Sequence, residues 1–164
     1  MAGESVQKLA VGDEAPDFEL PGTDGEVSSL ASFEDREALL VVFTCNHCPY
    51  AKAKFDVLND LTADYDDLAV VGINSNDPEA YPEDSPERMR ELVADGTIQY
   101  DAYLFDESQE VAAAYGAVCT PDPFLFGNDG GTFRLAYHGR LDDATNPDDE
   151  PTRDEMREAV EAVL

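Results

Sequence analysis

The chain has 164 residues, of which 43% are apolar, and its 37 acidic and 10 basic side chains give a net charge of −27 at pH 7. These values indicate one globular domain, residues 1–164, and exclude nucleic acid as a partner because it would be repelled. A membrane role is also excluded, because the longest apolar run, Ala38–Phe43, is far shorter than the roughly 20 residues of a spanning helix.

The acidic residues are spread along the whole chain between apolar segments, which argues against a disordered acidic tail. In dilute buffer these negative charges repel one another. Salt at about 1 M would screen the repulsion, because the Debye length is then near 3 Å. We therefore predict a halophilic protein. The amino terminus has no basic segment followed by an apolar one, so no secretory signal is predicted and a cytoplasmic location is expected.

Apolar periodicity predicts strands and helices that alternate along the chain. In chain order these are a hairpin of strands 17–20 and 26–29, a strand 38–44, a helix 49–65, a strand 68–74, a helix from 86 to near 96, a helical segment 109–115, a hairpin of strands 124–126 and 132–138, and a helix 152–164. Residues 38–44 and 68–74 are continuous apolar runs, which are typical of strands covered on both faces. Residues 81–86 and 142–151 are predicted to be loops.

The sequence TCNHCP, residues 44–49, places Cys45 and Cys48 at the junction of a predicted strand and helix. A thiolate is the reactive form of cysteine, and a helix N-terminus lowers a cysteine pKa from about 8.5 to roughly 3.5–7.5. Two cysteines three positions apart across the first turn can also close a disulfide. The pattern predicts a redox pair, and His47 between the cysteines is expected to favour the thiolate and make the disulfide more oxidising.

A metal site is the less favoured alternative. Structural zinc takes about four ligands, and besides Cys45 and Cys48 the chain offers only Cys119, His47 and His138 among cysteines and histidines. A metal-binding module that uses the three cysteines therefore stays as an alternative. We predict no bound metal and no cofactor.

Five segments carry a family resemblance. They are VGDEAPDFELPGTDG (11–25), VVFTCNHCPYAKA (41–53), GINSNDPEAYPEDSPERM (72–89), EVAAAYGAVCTPDPFLF (110–126) and GR (139–140). In these segments the chain resembles the redoxin branch of the thioredoxin superfamily, the alkyl hydroperoxide reductase/thiol-specific antioxidant (AhpC/TSA) type. The resemblance implies an α/β thioredoxin-like fold, with a central mixed sheet flanked by helices and an extra N-terminal β-hairpin.

The resemblance also implies residues around the cysteine pair. A proline in cis faces the pair in such proteins, just before the strand that ends FLF, and Pro121 matches that position. Thr120 would then bind the extended chain of a substrate through its backbone, and Cys119 would lie close to the pair. Thr44 stands where thioredoxins have tryptophan. The residues expected to tune the site are Thr44, His47, Cys119, Thr120 and Pro121.

Peroxide-reducing relatives carry P-x-x-x-T-x-x-C ahead of the attacking cysteine, and neither Cys45 nor Cys48 is preceded by this pattern. We therefore predict a thiol–disulfide oxidoreductase in which Cys45, as the more exposed thiol, attacks a disulfide and Cys48 resolves the product. A peroxiredoxin-like thiol peroxidase with an antioxidant role is the alternative. The expected partners are protein or small-molecule disulfides and thiols, and a cellular reductant that the sequence does not identify.

Overall fold

A computed structural model of the chain describes residues 9–47, 49–117, 121–139, 141 and 155–164. The main sheet has five strands, which are β3 (Ala38–Phe43), β4 (Leu68–Asn74), β5 (Ala102–Phe105), β6 (Asp122–Asp129) and β7 (Thr132–His138). Their order across the sheet is β5-β4-β3-β6-β7. β3, β4 and β5 are parallel, whereas β6 runs antiparallel to β3 and β7 antiparallel to β6. The predicted mixed sheet is confirmed.

A short hairpin precedes this sheet, as predicted. Its strands, β1 (Leu20–Pro21) and β2 (Val27–Ser28), are antiparallel and shorter than the predicted 17–20 and 26–29. Gly25 in the turn has a φ of +83°, a conformation that a residue with a β-carbon rarely adopts. An isolated bridge between Gly22 and Leu104 attaches the hairpin to β5.

The helices are α1 (Pro49–Lys52), α2 (Phe55–Asp64), α3 (Pro86–Ala94), α4 (Glu110–Tyr115) and α5 (Glu155–Val163). The prediction of one helix over 49–65 was wrong. The Lys54 N–H donates to the Ala51 carbonyl at 3.1 Å, three residues back, and this tight turn separates α1 from α2. A single helical turn therefore follows the cysteine motif. Among the described residues, none of the helices is long and apolar enough to cross a membrane.

Three short elements were not predicted from the sequence. They are β5 and two 3₁₀ helices, Leu30–Phe33 and Pro82–Asp84, the second of which lies in a stretch predicted to be a loop. β5 has only four residues, and it is a strand because it pairs with β4. The local pattern of apolar residues does not reveal such a long-range pairing. The predicted loop 142–151 and residues 152–154 of the predicted last helix lie outside the described residues.

Apolar side chains cover both faces of the sheet. The first layer contains Leu39, Val41 and Phe43 of β3, with Leu20, Tyr115, Phe124 and Phe126. The second contains Ala38, Leu40 and Val42 of β3, with Leu58 and Leu61 of α2 and Met156 and Val160 of α5. All six β3 residues are buried, as predicted for a strand covered on both faces. This packing fixes the carboxyl end of β3, from which the cysteine motif continues.

Candidate functional site

The motif begins where three parallel strands end. β3 ends at Phe43, β4 at Asn74 and β5 at Phe105, so the three carboxyl ends share one edge of the sheet. The Thr44 N–H donates to the Ile73 carbonyl at 2.9 Å, which extends the pairing of β3 with β4 by one residue. In α/β sheets this edge is where ligands bind. Cys45 is the next residue along the chain.

Cys45 is fully buried, with 0% of its surface exposed, and Asn46 is 2% exposed. The expectation that Cys45 reaches solvent was therefore wrong. The physical reason is that the chain does not turn outward after β3. Asn46 is held inside by hydrogen bonds from both its backbone and its side chain, and α1 starts only at Pro49.

A buried carboxylate, Asp84, organises this segment. Its side chain is 0% exposed. It accepts hydrogen bonds from the Asn46 backbone N–H (2.5 Å) and from the side-chain amides of Asn74 (3.2 Å) and Asn76 (3.0 Å). It also contacts Nδ1 of His47. These donors replace the water that the carboxylate gives up on burial, and they join β4, the motif and the Pro82–Asp84 turn.

Asn46 is held on its other side by Tyr103 of β5. The Tyr103 hydroxyl donates to Asn46 Oδ1 at 2.7 Å, while the Asn46 amide donates to the Glu83 carbonyl at 2.8 Å. Burial raises the pKa of Tyr103 well above its usual value, and nearby ionisable groups, Asp84 and Cys45 among them, add to the shift. The phenol therefore stays a neutral donor.

His47 is oriented by two contacts. Its ring stacks on Tyr81, with centroids 4.4 Å apart and 7° between the planes, and its Nδ1 contacts Oδ2 of Asp84. The side chain is 31% exposed. The imidazole therefore joins the buried carboxylate to the protein surface.

Cys45, His47 and Asp84 form a compact cluster. One donor atom from each, the sulfur, a ring nitrogen and a carboxylate oxygen, lie within 4.8 Å of one another. Across the part of the chain that the structure describes, no other group of three or more His, Cys, Asp or Glu side chains is arranged in this way. The cluster combines a thiol with an imidazole and a carboxylate, and its three atoms are of the types that bind transition metals.

A second histidine–aspartate pair lies at the start of β6. Asp122 is 5% exposed and pairs with Phe43 across the sheet. His138 Nε2 lies 2.7 Å from Asp122 Oδ1, and the His138 ring stacks on Phe124 at 4.0 Å. Both histidines of the chain are therefore paired with buried carboxylates.

Pro121 and Thr44 lie at the same edge of the sheet. Pro121 directly precedes Asp122, which pairs with Phe43, so continuing this antiparallel register places Pro121 opposite Thr44. Thr44 is 2% exposed, and its hydroxyl has no hydrogen-bond partner among the described residues. Three other predicted site residues, Cys48, Cys119 and Thr120, lie outside the described residues, and their roles stay predictions.

Sequence reasoning missed the polar network around the motif. Asn74 ends a predicted buried strand and Asn76 lies just after it, and loops after parallel strands often carry binding sites, so this signal was present. Asp84 gave no such signal, because it is one of 37 acidic residues and lies in a predicted loop. The Asp122–His138 pair was also missed.

Two solved structures resemble this chain in sequence and fold. A hypothetical protein from Sinorhizobium meliloti 1021 is 44% identical, with a TM-score of 0.85 over 95% of this chain and 85% of that one. An uncharacterized conserved protein from Geobacillus kaustophilus is 40% identical, with a TM-score of 0.85 over 94% of this chain and 82% of that one. No curated protein matches the sequence.

A more distant structure shows the fold alone. The thioredoxin domain of a thiol-disulfide oxidoreductase from Bacteroides vulgatus is 18% identical, with a TM-score of 0.63 over 80% of this chain and 91% of that one. This match, together with the mixed sheet, the flanking helices and the hairpin, confirms the predicted thioredoxin-like α/β fold.

The AhpC/TSA family model matches residues 11–134. Because that match spans most of the sequence, the chain belongs to the AhpC/TSA family.

Proposed function

We propose that this protein is a thiol–disulfide oxidoreductase whose redox pair is Cys45 and Cys48. The observation that carries the proposal is the position of Cys45, two residues after the end of the central strand β3 and four residues before α1, at the carboxyl edge of the sheet. Membership of the AhpC/TSA family and the shared fold with a protein named as a thiol-disulfide oxidoreductase support the same chemistry.

The reaction is a two-electron exchange between a dithiol and a disulfide. A thiolate of the pair attacks one sulfur of the substrate, R–S–S–R′, and expels R′–S⁻, which takes up a proton. The second thiol of the pair then attacks the mixed disulfide, its proton passes to the departing R–S⁻, and Cys45 and Cys48 are joined. The substrate is reduced to two thiols, and a cellular dithiol returns the pair to its reduced form.

The burial of Cys45 bears on the order of these steps. An attacking thiol must meet a substrate sulfur at the surface, whereas the resolving thiol acts within the protein. Because Cys45 is 0% exposed, we assign it the resolving step and assign the attack to Cys48. This reverses the order that the sequence predicted, which rested on a solvent-exposed Cys45.

The first test is the reduction of insulin disulfides with dithiothreitol as the electron donor. We expect the protein to accelerate this reaction, and Cys45→Ser and Cys48→Ser each to lower the rate by at least about a hundredfold, because either change removes half of the redox pair. Cys119→Ser is the matched control and should keep most of the activity. Peptide mapping after mild oxidation should find a Cys45–Cys48 bond. A dominant disulfide bond that includes Cys119 would contradict the Cys45–Cys48 pairing.

Peroxidase chemistry is tested in parallel, because the family match is compatible with it. We expect slow turnover of hydrogen peroxide, since the P-x-x-x-T-x-x-C pattern is missing from the sequence. Consumption at a rate near the diffusion limit, about 10⁸ M⁻¹s⁻¹, with no insulin reduction would replace the proposed function by a peroxidase.

The order of attack is tested by trapping. We expect Cys45→Ser to accumulate a mixed disulfide with substrate, because Cys48 can attack but nothing resolves the product, and Cys48→Ser to accumulate none. Mass spectrometry under non-reducing conditions distinguishes the two. In the folded protein, the burial of Cys45 should also make it slow to react with iodoacetamide in Cys48→Ser. Trapping in Cys48→Ser would restore Cys45 as the attacking residue.

A further inference from the structure

We propose that Cys45, His47 and Asp84 form a binding site for a divalent cation of the zinc type. The inference stands on the cluster itself and does not depend on the redox function. It differs from the metal module considered from the sequence, which used three cysteines and no carboxylate.

The three donor atoms suit such an ion. Zinc binds thiolate sulfur, imidazole nitrogen and carboxylate oxygen at about 2.0–2.3 Å, so atoms bound to one ion lie about 3–4 Å apart. The sulfur, nitrogen and oxygen of the cluster already lie within 4.8 Å of one another. Three protein ligands leave one tetrahedral position for solvent or a small ligand.

The charges of the site also match the ion. A Cys45 thiolate and the Asp84 carboxylate carry two negative charges, and a neutral His47 adds none, so a dication makes the site electrically neutral. Neutrality matters because Cys45 and Asp84 are each 0% exposed, where an uncompensated charge is costly. Binding releases the Cys45 thiol proton to solvent, and the one ring proton of a neutral His47 then lies on the ring nitrogen that does not bind the ion.

The surrounding residues hold two of the ligands in place. The Asn46 backbone and the side-chain amides of Asn74 and Asn76 fix the Asp84 carboxylate. The Tyr81 ring fixes the plane of the His47 ring. Hydrogen-bonded partners of this kind orient ligands at metal sites, and their loss typically weakens affinity by about 10–100-fold. A surface cluster of acids would have no such support.

The chain provides its own comparison. Asp122 and His138 form a second buried aspartate–histidine pair, at 2.7 Å, and no cysteine joins it among the residues that the structure describes. If a carboxylate, an imidazole and the negative surface were enough to bind the ion, this pair would bind as well. The proposal predicts that only the cluster with Cys45 does.

Cobalt(II) is the probe, added to the reduced full-length protein in concentrated potassium chloride. We expect one equivalent to bind with a sulfur-to-cobalt charge-transfer band in the near ultraviolet, and zinc to displace it. Cys45→Ser should lose the band, whereas Cys48→Ser should keep it. His47→Gln should weaken binding by at least about tenfold, because it removes a ligand. Asn76→Ala, which alters only a residue that orients Asp84, should weaken binding less.

His138→Gln is the matched control and should leave both the affinity and the band unchanged. Circular dichroism of each variant separates ligand loss from misfolding. The proposal would be overturned if no band appeared with the reduced protein, if Cys45→Ser kept it, or if His47→Gln and His138→Gln bound cobalt equally. The last result would indicate only non-specific attraction to the acidic surface. Insulin reduction is measured separately, so redox failure and metal failure are distinguished.

Discussion

Replacing Asp84 with leucine is expected to lower the free energy of unfolding by about 3–5 kcal/mol. Asp84 is fully buried and accepts hydrogen bonds from Asn46, Asn74 and Asn76. Leucine has the same branching but no acceptor, so the buried donors of Asn46 and Asn74 and the half-buried amide of Asn76 would lose this partner. Unsatisfied buried donors cost about 1–3 kcal/mol each, and partial relaxation of the site keeps the sum below the maximum.

Urea unfolding in concentrated potassium chloride measures this effect. Asp84→Asn is the conservative variant: it keeps one acceptor oxygen but turns an amide donor toward other donors, and we expect a loss of about 1–3 kcal/mol. Glu83→Ala is the matched control, because Glu83 is adjacent but its side chain is 60% exposed, and we expect a change within about 0.5 kcal/mol. Equal losses for Asp84→Leu and Glu83→Ala would show that the network does not stabilise the fold.

The sheet was predictable because its signal is local. The apolar runs that became β3 and β4 are long enough to identify a buried strand, and their order with the helices indicated the fold. β5 was missed because it has four residues and owes its order to pairing with β4. The break between α1 and α2 was missed because apolar spacing continues across a single tight turn.

The site was predictable only in part. The spacing of Cys45 and Cys48 indicated chemistry at the end of a strand, and the structure places Cys45 there. Its burial could not be predicted, because local spacing says nothing about what covers a side chain. Asp84 reaches Asn46 across 38 positions of the sequence. In a chain with 37 acids, only this long-range contact distinguishes a buried carboxylate from an exposed one.

The folded state is expected to be lost as the salt concentration falls from about 2 M to about 10 mM, where the Debye length rises to about 30 Å. Ten basic residues can neutralise at most ten of the 37 acids, which leaves a net charge of −27. The basic side chains already lie between acids in places: Arg134 is 3.6 Å from Glu14 and 3.4 Å from Asp129. Local ion pairs therefore cannot remove the repulsion.

The magnitude is large compared with ordinary stability. We treat the folded chain as a charged sphere of about 20 Å radius and the unfolded chain as one of about 40 Å. The excess repulsion in the folded state is then on the order of 30 kcal/mol at about 0.01 M salt and about 10 kcal/mol at about 1 M. The difference exceeds the roughly 5–15 kcal/mol by which globular proteins are stable.

Circular dichroism during a potassium chloride titration measures the transition. Sucrose is the control that separates screening from preferential exclusion, because it favours compact states without screening charge. We expect potassium chloride to restore the fold and sucrose to be much less effective, and magnesium chloride to act at lower concentrations because divalent ions screen more strongly. Equal melting temperatures in dilute buffer and in concentrated potassium chloride would refute the prediction. Equal rescue by sucrose would mean that solvent exclusion, and not the charge of −27, governs folding.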